Sequence, residues 1–187
     1  MKLNEIFYSI QGEGFWTGTP AIFIRFAGCN LNCSFCDTDF SYKFDMNINE
    51  ILKEIKKYKS KHIVLTGGEP SLQLKINEQG YSNFIKILRD NGYYVQIETN
   101  GTIKLPNNLD WITVSPKEKW IIKKGNELKV VYMNQDLEQY KNTSFKYYYL
   151  QPLENKEKYN SKETIKAIKE NPKWKLSIQT QKLLKIK

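Results

Sequence analysis

The sequence predicts one α/β domain over residues 1–187, built as a partial, open barrel of about six or seven mostly parallel strands. Short apolar runs alternate with amphipathic helical patterns, which is typical of parallel strands joined by right-handed crossovers. The 187 residues are well short of the roughly 250 of a complete eight-fold barrel. Several connections between predicted strands, such as residues 101–110, are too short for a full helix, so we expect the barrel to stay open.

The first half of the chain begins this alternation. Residues 21–26 are apolar apart from one arginine and predict a strand. Residues 48–58 carry apolar side chains at helical spacing and predict a helix, and Asn47 and Glu50 have the spacing of a capping box at its start. Residues 62–65 predict the second strand.

The second half continues the same pattern. A helix is predicted at residues 82–91, before a glycine that is a suitable C-terminal cap. Further strands are predicted at residues 94–97, 111–114, 128–132, 146–150 and 175–178, with a helix at 161–170.

Polar segments follow the predicted strands at the point where each strand ends. They are residues 28–38, 66–70, 98–101, 115–117, 151–152 and 179–182. In α/β barrels and open sheets the active site gathers at the carboxyl ends of the strands. The six segments therefore predict a single site at one edge of the sheet.

The first of these segments holds all three cysteines of the chain, Cys29, Cys33 and Cys36, at the spacing C-x3-C-x2-C. A structural zinc ion or an ordinary cubane cluster takes four protein ligands. Three thiolates around a [4Fe–4S] cluster leave one iron without a protein ligand. The spacing therefore predicts an open iron–sulfur centre that binds a small molecule.

Other interpretations of the cysteines are less consistent with the sequence. Free cysteines that serve as small hydrophobic residues are usually scattered through a chain. Disulfides would leave one cysteine unpaired, and the N-terminal segment does not have the pattern of a signal peptide. Zinc with the single histidine, His62, as fourth ligand remains an alternative, although His62 opens an apolar run and is more typical of a residue that starts a strand.

Two segments around the cysteines, Gly28-Cys29-Asn30-Leu31 and Cys36-Asp37-Thr38, and a third, Gln11-Gly12-Glu13-Gly14, add to this pattern. Together with the cysteine spacing they resemble the 7-carboxy-7-deazaguanine synthase family of the radical S-adenosylmethionine superfamily, over residues 10–182. The resemblance implies an open barrel, a [4Fe–4S] cluster, S-adenosyl-L-methionine and Mg²⁺. It implies a lyase that converts 6-carboxy-5,6,7,8-tetrahydropterin to 7-carboxy-7-deazaguanine, with loss of ammonia, in a queuosine-type 7-deazapurine pathway.

The resemblance also implies roles for individual residues, and no catalytic side chain beyond the cluster and the cofactor. The cluster ligands would be Cys29, Cys33 and Cys36, and the magnesium ligand Thr38. The substrate-binding residues would be Ile10, Gln11, Gly12, Glu13, Arg25 and Thr66. The cofactor-binding residues would be Gly68, Glu69, Glu98, Ser115, Pro116, Lys117, Gln151, Pro152, Leu153 and Glu154.

Arg25 is informative without the resemblance as well. Strand alternation places it on one face with Ala21 and Phe23. A guanidinium inside such a strand is costly unless it is paired. It is therefore either a structural ion pair with a core carboxylate or a clamp for an anionic substrate.

The C-terminal segment departs from the family pattern. Gln181 stands where the family commonly has histidine, and an amide does not titrate near neutral pH as imidazole does. Whether Gln181 or the terminal carboxylate contacts the substrate is left open by the sequence.

Composition limits the partners. The net charge is +9, but only two of the 29 basic residues are arginine and the lysines are spread along the chain. We therefore expect no direct nucleic-acid partner. No apolar run is long enough to span a bilayer, so we expect no membrane partner. Reduced cysteines and an oxygen-sensitive cluster favour a cytoplasmic location. The resemblance implies a homodimer and an electron donor such as flavodoxin or ferredoxin.

Two rival functions are consistent with the cysteine spacing. One is an activating enzyme that makes a glycyl radical on a partner protein, for which Gln11, Glu13 and Arg25 have no obvious role. The other is a non-enzymatic iron–sulfur or zinc module with a basic binding surface.

Overall fold

The computed structural model describes residues 1–75, 78–155 and 158–187. Its described strands are β1 (Lys2–Ile10), β2 (Pro20–Phe26), β3 (Phe44–Asp45), β4 (His62–Gly67), β5 (Tyr94–Thr99), β6 (Trp111–Val114), β7 (Lys124–Tyr132), β8 (Ser144–Pro152), β9 (Glu154–Asn155), β10 (Lys158–Tyr159) and β11 (Lys175–Leu176). Its described α-helices are α1 (Ile48–Ile55), α2 (Pro70–Lys75), α3 (Glu78–Asp90), α4 (Ser161–Glu170) and α5 (Thr180–Leu184). Two short 3₁₀ helices lie at Gly14–Trp16 and Leu137–Tyr140.

One sheet organises the fold, with its described strands in the order β11-β8-β7-β6-β5-β4-β2-β1-β3. From β2 to β11 every neighbouring pair is parallel, whereas β1 pairs antiparallel with β2 and β3 pairs antiparallel with β1. The two edge strands, β11 and β3, are not paired with each other in the described part of the chain. The prediction of an open, mostly parallel α/β sheet is confirmed.

The predicted elements are found, with differences at their ends. Strand β6 and helix α4 have the predicted bounds. Strands β7 and β8 extend further than predicted, and α1 ends at Ile55 instead of continuing to Tyr58. The capping box is confirmed, because the Glu50 N–H donates to Asn47 Oδ1 at 3.1 Å and the Asn47 N–H donates to Glu50 Oε2 at 2.7 Å.

The core lies between the convex face of the sheet and the helices. The alternate side chains of β2 that were predicted to share a face, Ile22, Ile24 and Phe26, are fully buried in one cluster with residues of α1 and α3 such as Ile51 and Phe84. Since successive residues of a strand point to opposite faces, Phe23 and Arg25 face the concave side. The concave side is where a ligand has access.

The loop after β1 closes the amino-terminal end of the parallel strands with aromatic rings. Trp16 packs edge-on against His62 and Trp111, with ring centroids 4.9 and 5.3 Å apart. His62 starts β4, is buried, and its Nε2 lies 2.8 Å from Gln96 Oε1. It is therefore a structural residue at the end of the sheet opposite the cysteines, as its position at the start of an apolar run indicated.

No helix in the described ranges combines the length and the apolar character that crossing a lipid bilayer requires. The charged surface of the short helices is consistent with this finding.

Candidate active site

A pocket with a volume of about 1160 Å³ opens on the concave face, at the carboxyl ends of the parallel strands. All of the residues predicted from the sequence to form the site line this pocket, with the exceptions of Glu69 and Pro116. The polar segments that follow six different strands are thus brought together, as expected for an α/β sheet.

Glu69 lies behind the pocket wall instead of in it. Its side chain is fully buried, and its carboxylate accepts hydrogen bonds from Thr99 Oγ1 at 2.7 Å and from the backbone N–H groups of Ser71 at 3.0 Å and Asn100 at 2.6 Å. Both carboxylate oxygens are therefore used to join the loop after β4 to the loop after β5. Pro116 is also buried.

The cysteine loop is fixed to the sheet through backbone contacts. The Gly28 N–H donates to Phe40 O at 2.8 Å, and the Glu69 N–H donates to Gly28 O at 2.9 Å. A side chain on Gly68 would occupy the space already filled by the Gly28 carbonyl and Cys29 Cβ. Gly68 is therefore required for the close approach of the loop after β4 to the cysteine loop.

The three cysteine thiols line the pocket and differ in their exposure. Cys29 and Cys33 are half-buried and Cys36 is exposed. Burial raises the pKa of the Cys29 and Cys33 thiols, so metal binding would release protons. Among the described residues no three His, Cys, Asp or Glu side chains are arranged to hold a single metal ion. The donor set of three thiols on one loop fits a cluster with several irons better than one ion.

Ser115 and Lys117 lie beside this loop. Lys117 Nζ donates to Ser115 Oγ at 2.6 Å and lies 6.0 Å from the centroid of the Phe35 ring. Burial lowers the pKa of Lys117 to about 8. The pair places a cation and a hydroxyl at the pocket wall next to the cysteines.

Gln151 lines the pocket and has an unused hydrogen-bond acceptor. Its side chain is 8% exposed, and Oε1 has no hydrogen-bond partner within the described parts of the chain. A buried carbonyl oxygen without a partner is costly unless a bound molecule satisfies it. Gln151 is therefore suited to accept a hydrogen bond from a ligand in the pocket.

Arg25 forms the ion pair that was one of the two alternatives drawn from the sequence, and its role as a clamp for an anionic substrate stays a prediction. Its Nε lies 3.0 Å from Glu5 Oε1, its guanidinium lies 5.6 Å from the Phe7 ring centroid, and it lines the pocket. Glu5 also pairs with Lys187 Nζ at 2.5 Å. Since β1 is absent from the predicted elements, Glu5 and Phe7 could not be named from the sequence.

A polar network occupies the middle of the pocket floor. Glu98 accepts hydrogen bonds from Gln11 Nε2 and Thr66 Oγ1, both at 3.0 Å. Glu13 forms an ion pair with Lys129, whose Nζ also lies 3.9 Å from Glu98 Oε1. Sequence analysis missed Lys129, although a lysine within the apolar run of β7 was a signal that could have identified it.

The C-terminal segment crosses the pocket and adds contacts to Glu13. Gln179 Nε2 and Gln181 Nε2 each donate to Glu13 Oε1 at 3.0 Å. Gln181 Oε1 has no hydrogen-bond partner in the described ranges. Gln181 thus reaches the pocket as a donor to the protein, with its acceptor unused.

Thr38 lies on the exposed side of the pocket. Its Oγ1 is 3.4 Å from Asp37 Oδ1, and Asp37 Oδ2 is 2.6 Å from Lys182 Nζ. Lys182 also pairs with Glu154. Hydroxyl and carboxylate oxygens that suit a hard cation are therefore present beside the last cysteine.

Comparisons with known proteins agree with this arrangement. Residues 23–174 match the radical SAM superfamily. A 7-carboxy-7-deazaguanine synthase from Bacteroides thetaiotaomicron is 47% identical over 188 residues, covering 100% of this chain and 98% of the relative. One from Haemophilus influenzae is 37% identical over 99% of this chain and 93% of its own length.

The fold comparison gives the same result. A crystal structure of QueE from Escherichia coli superposes with a TM-score of 0.73 and 26% identity, over 95% of this chain and 93% of that one. Neither rival function, the glycyl-radical activator or the non-enzymatic module, is named among these relatives. The chain therefore belongs to the 7-carboxy-7-deazaguanine synthase family of the radical S-adenosylmethionine superfamily.

Proposed function

We propose that this chain converts 6-carboxy-5,6,7,8-tetrahydropterin to 7-carboxy-7-deazaguanine, with loss of ammonia, in a queuosine-type 7-deazapurine pathway. The observation that carries the proposal is the sharing of one pocket by the three-cysteine loop and the polar network around Glu13 and Glu98. The names of the relatives and the superfamily match support the same activity.

The cluster would be held by Cys29, Cys33 and Cys36. When bound beside it, S-adenosyl-L-methionine supplies the radical chemistry, which belongs to the cofactor. The protein would position the cofactor through Gly68, which lines the pocket, and through the unused Gln151 oxygen.

The substrate would be bound by complementary polar groups. The aminopyrimidine edge of a pterin presents N–H donors, and the carboxylates of Glu13 and Glu98 face the pocket as acceptors. The substrate carboxylate matches Arg25, whose planar guanidinium can bind a carboxylate through two hydrogen bonds. This arrangement fixes both ends of a small, flat, anionic molecule.

Thr38 would bind Mg²⁺ through its hydroxyl oxygen. A single neutral hydroxyl ligand implies weak binding by the protein alone, so substrate and Mg²⁺ should bind together. We expect Mg²⁺ to raise activity and lower the apparent KM for the pterin, and Thr38→Val to weaken both effects. Equal activity in excess chelator, or an unchanged Mg²⁺ response in Thr38→Val, would remove Thr38 from the site.

The activity is tested by anaerobic reconstitution, followed by incubation with the pterin, S-adenosyl-L-methionine and a reductant. Mass analysis should detect 7-carboxy-7-deazaguanine, and metal analysis should find about four irons and four sulfides per chain. Cys→Ala at Cys29, Cys33 or Cys36 should abolish both product formation and cofactor cleavage. Stoichiometric zinc without absorption from thiolate-bound iron would contradict the proposal.

The assembly and electron supply of the enzyme are proposed on the family resemblance, as a homodimer served by a flavodoxin or ferredoxin. Sedimentation of the reconstituted protein tests the first, and turnover with each reduced carrier in place of a chemical reductant tests the second.

A further inference from the structure

Lys129 is a buried cation in the middle of the pocket floor. It lies in β7, its side chain is 8% exposed, and it contacts carboxylates from two other parts of the chain. Glu13, in the loop after β1, forms an ion pair with its Nζ, and Glu98, at the end of β5, lies 3.9 Å away. A lysine is rarely buried to this extent without paired charges.

The two carboxylates around Lys129 are not fully used by the protein. Glu13 Oε1 accepts from two glutamine amides, and Glu98 accepts one bond from Gln11 and one from Thr66. Each ionised carboxylate has about four acceptor positions. Both residues line the pocket, so their remaining acceptor positions are available to a ligand that presents N–H donors.

Burial alone would raise the pKa of the Glu13 carboxyl and favour its protonated form. A protonated carboxyl is a poorer acceptor for a ligand N–H. The ion pair and hydrogen bond with Lys129 act in the opposite direction, and the pKa of Glu13 is lowered.

We propose that Lys129 is a positioning residue that holds the carboxylates of Glu13 and Glu98 in place as acceptors for the N–H edge of the substrate ring. The inference rests on the proposed function and adds a residue to it. Lys129 acts through the two carboxylates, so it is distinct from a catalytic residue. It follows that removal of the amine should change the pH dependence of ligand binding as well as its strength.

Several charged groups face Lys129 from the elements around it. Glu13 and Glu98 face it as hydrogen-bond acceptors, Glu127 faces it with a carboxyl whose pKa is raised by burial to about 7, and Lys117 lies on the cysteine side of the pocket. Burial lowers the pKa of Lys129, but the three carboxylates outweigh burial and raise it. The amine therefore stays charged over the whole range in which the enzyme would be assayed.

The test measures binding of 6-carboxy-5,6,7,8-tetrahydropterin by anaerobic calorimetry to the reconstituted protein at several pH values between 6 and 7.5. In Lys129→Met we expect binding at pH 7 to weaken by about tenfold, since a buried carboxylate loses its charged partner. Because burial then raises the pKa of Glu13, the variant should regain affinity as the pH rises, relative to wild type. Lys124→Met, which removes an exposed lysine at the start of the same strand, should behave as wild type.

A second variant keeps the test valid if Lys129→Met does not fold. Lys129→Met combined with Glu13→Gln removes both charges of the pair, which proteins usually tolerate better than an unpaired buried charge. The affinity of this double variant for the pterin should not increase with pH as the affinity of Lys129→Met does.

The outcomes separate this inference from the proposed function. If wild type binds and converts the pterin but Lys129→Met keeps the wild-type affinity or pH profile, the role of Lys129 is wrong and the function stands. An identical pH response in the single and double variants would also overturn it. If wild type neither binds nor converts the pterin, the proposed function itself fails.

Discussion

Single charged residues line the pocket, and each is oriented by a neighbouring group. Arg25 is held by Glu5, and Glu13 is held by Lys129 and two glutamine amides. The cysteines were predictable because their spacing is a local pattern in the sequence. The ion pairs of Glu5 and Lys129 were not, since their partners come from segments more than ten residues away that only the folded sheet brings together.

The variant Arg25→Lys tests whether the guanidinium binds the carboxylate of the substrate. Lysine keeps the charge but loses the planar fork that can bind a carboxylate at two points. We expect the pterin KM to rise by about tenfold or turnover to fall by as much, while cleavage of S-adenosyl-L-methionine without substrate persists. Steady-state kinetics and a thermal melt provide the measurement.

The control for Arg25 is Glu5→Gln. This change removes the ion pair but keeps the guanidinium, so it should leave the pterin KM much closer to the wild-type value. Equal losses in the two variants, or unfolding of Arg25→Lys, would indicate that the arginine serves only the ion pair.

The raised pKa of Glu127 predicts how the stability of the folded protein depends on pH. Burial raises the pKa of its carboxyl from the usual 4.5 to about 7. Between these two values the folded protein holds a proton that the unfolded chain has released, so this group makes stability fall as the pH rises through the window. Above pH 7 the contribution of this group to stability is fully lost.

Glu127→Gln should remove this contribution. The difference in melting temperature between variant and wild type should move in favour of the variant from pH 5 to pH 7 and then stay constant to pH 8. A constant difference across that range would contradict the buried, protonated state of Glu127.

Elements differ in how well the sequence predicted them. Strands β2, β4, β5, β6, β7, β8 and β11 were found because apolar runs bounded by glycine, proline or polar residues are a strong local signal. The two-residue strand β3 was not predicted. β1 was missed, since it mixes charged and apolar side chains and pairs at the antiparallel end of the sheet. The short helix α5 was missed as well, because most of its contacts are with distant loops instead of a hydrophobic core.

Helix α5 joins the cysteine loop to the loop after β8. Lys182 pairs with Asp37 in the first and with Glu154 in the second. Lys182→Met should therefore speed hydrogen exchange in residues 36–39 and in α5, with a stability loss below about 1 kcal/mol because the pairs are partly exposed. Mass spectrometry of the exchanged peptides measures the effect.

Lys185→Met is the matched control, since Lys185 is exposed and lies three residues further along the chain. Exchange that is equally slow in wild type and in Lys182→Met would show that α5 does not hold the cysteine loop.

At the scale of the whole molecule, the open sheet is completed by loops instead of strands. The segment after β11 meets the loop after β1, where Ser177 Oγ accepts a hydrogen bond from the Gly14 N–H at 3.0 Å. The C-terminal residues then cross the pocket to Glu13 and Glu5. The polar segments after the strands predicted a site at one edge of the sheet, but no local pattern predicts this closure, which depends on contacts between the two ends of the chain.

This closure gives one pocket that contains both the cysteine loop and the polar network around Glu13 and Glu98. The proposed function requires this proximity, because it places cofactor and substrate next to each other. The most direct measurement uses the pterin labelled with deuterium at C6, incubated anaerobically with S-adenosyl-L-methionine and reductant. Deuterium should pass directly into recovered S-adenosyl-L-methionine or 5′-deoxyadenosine while product forms. Product formation without deuterium in either molecule, with the label found only in water, would contradict this proximity.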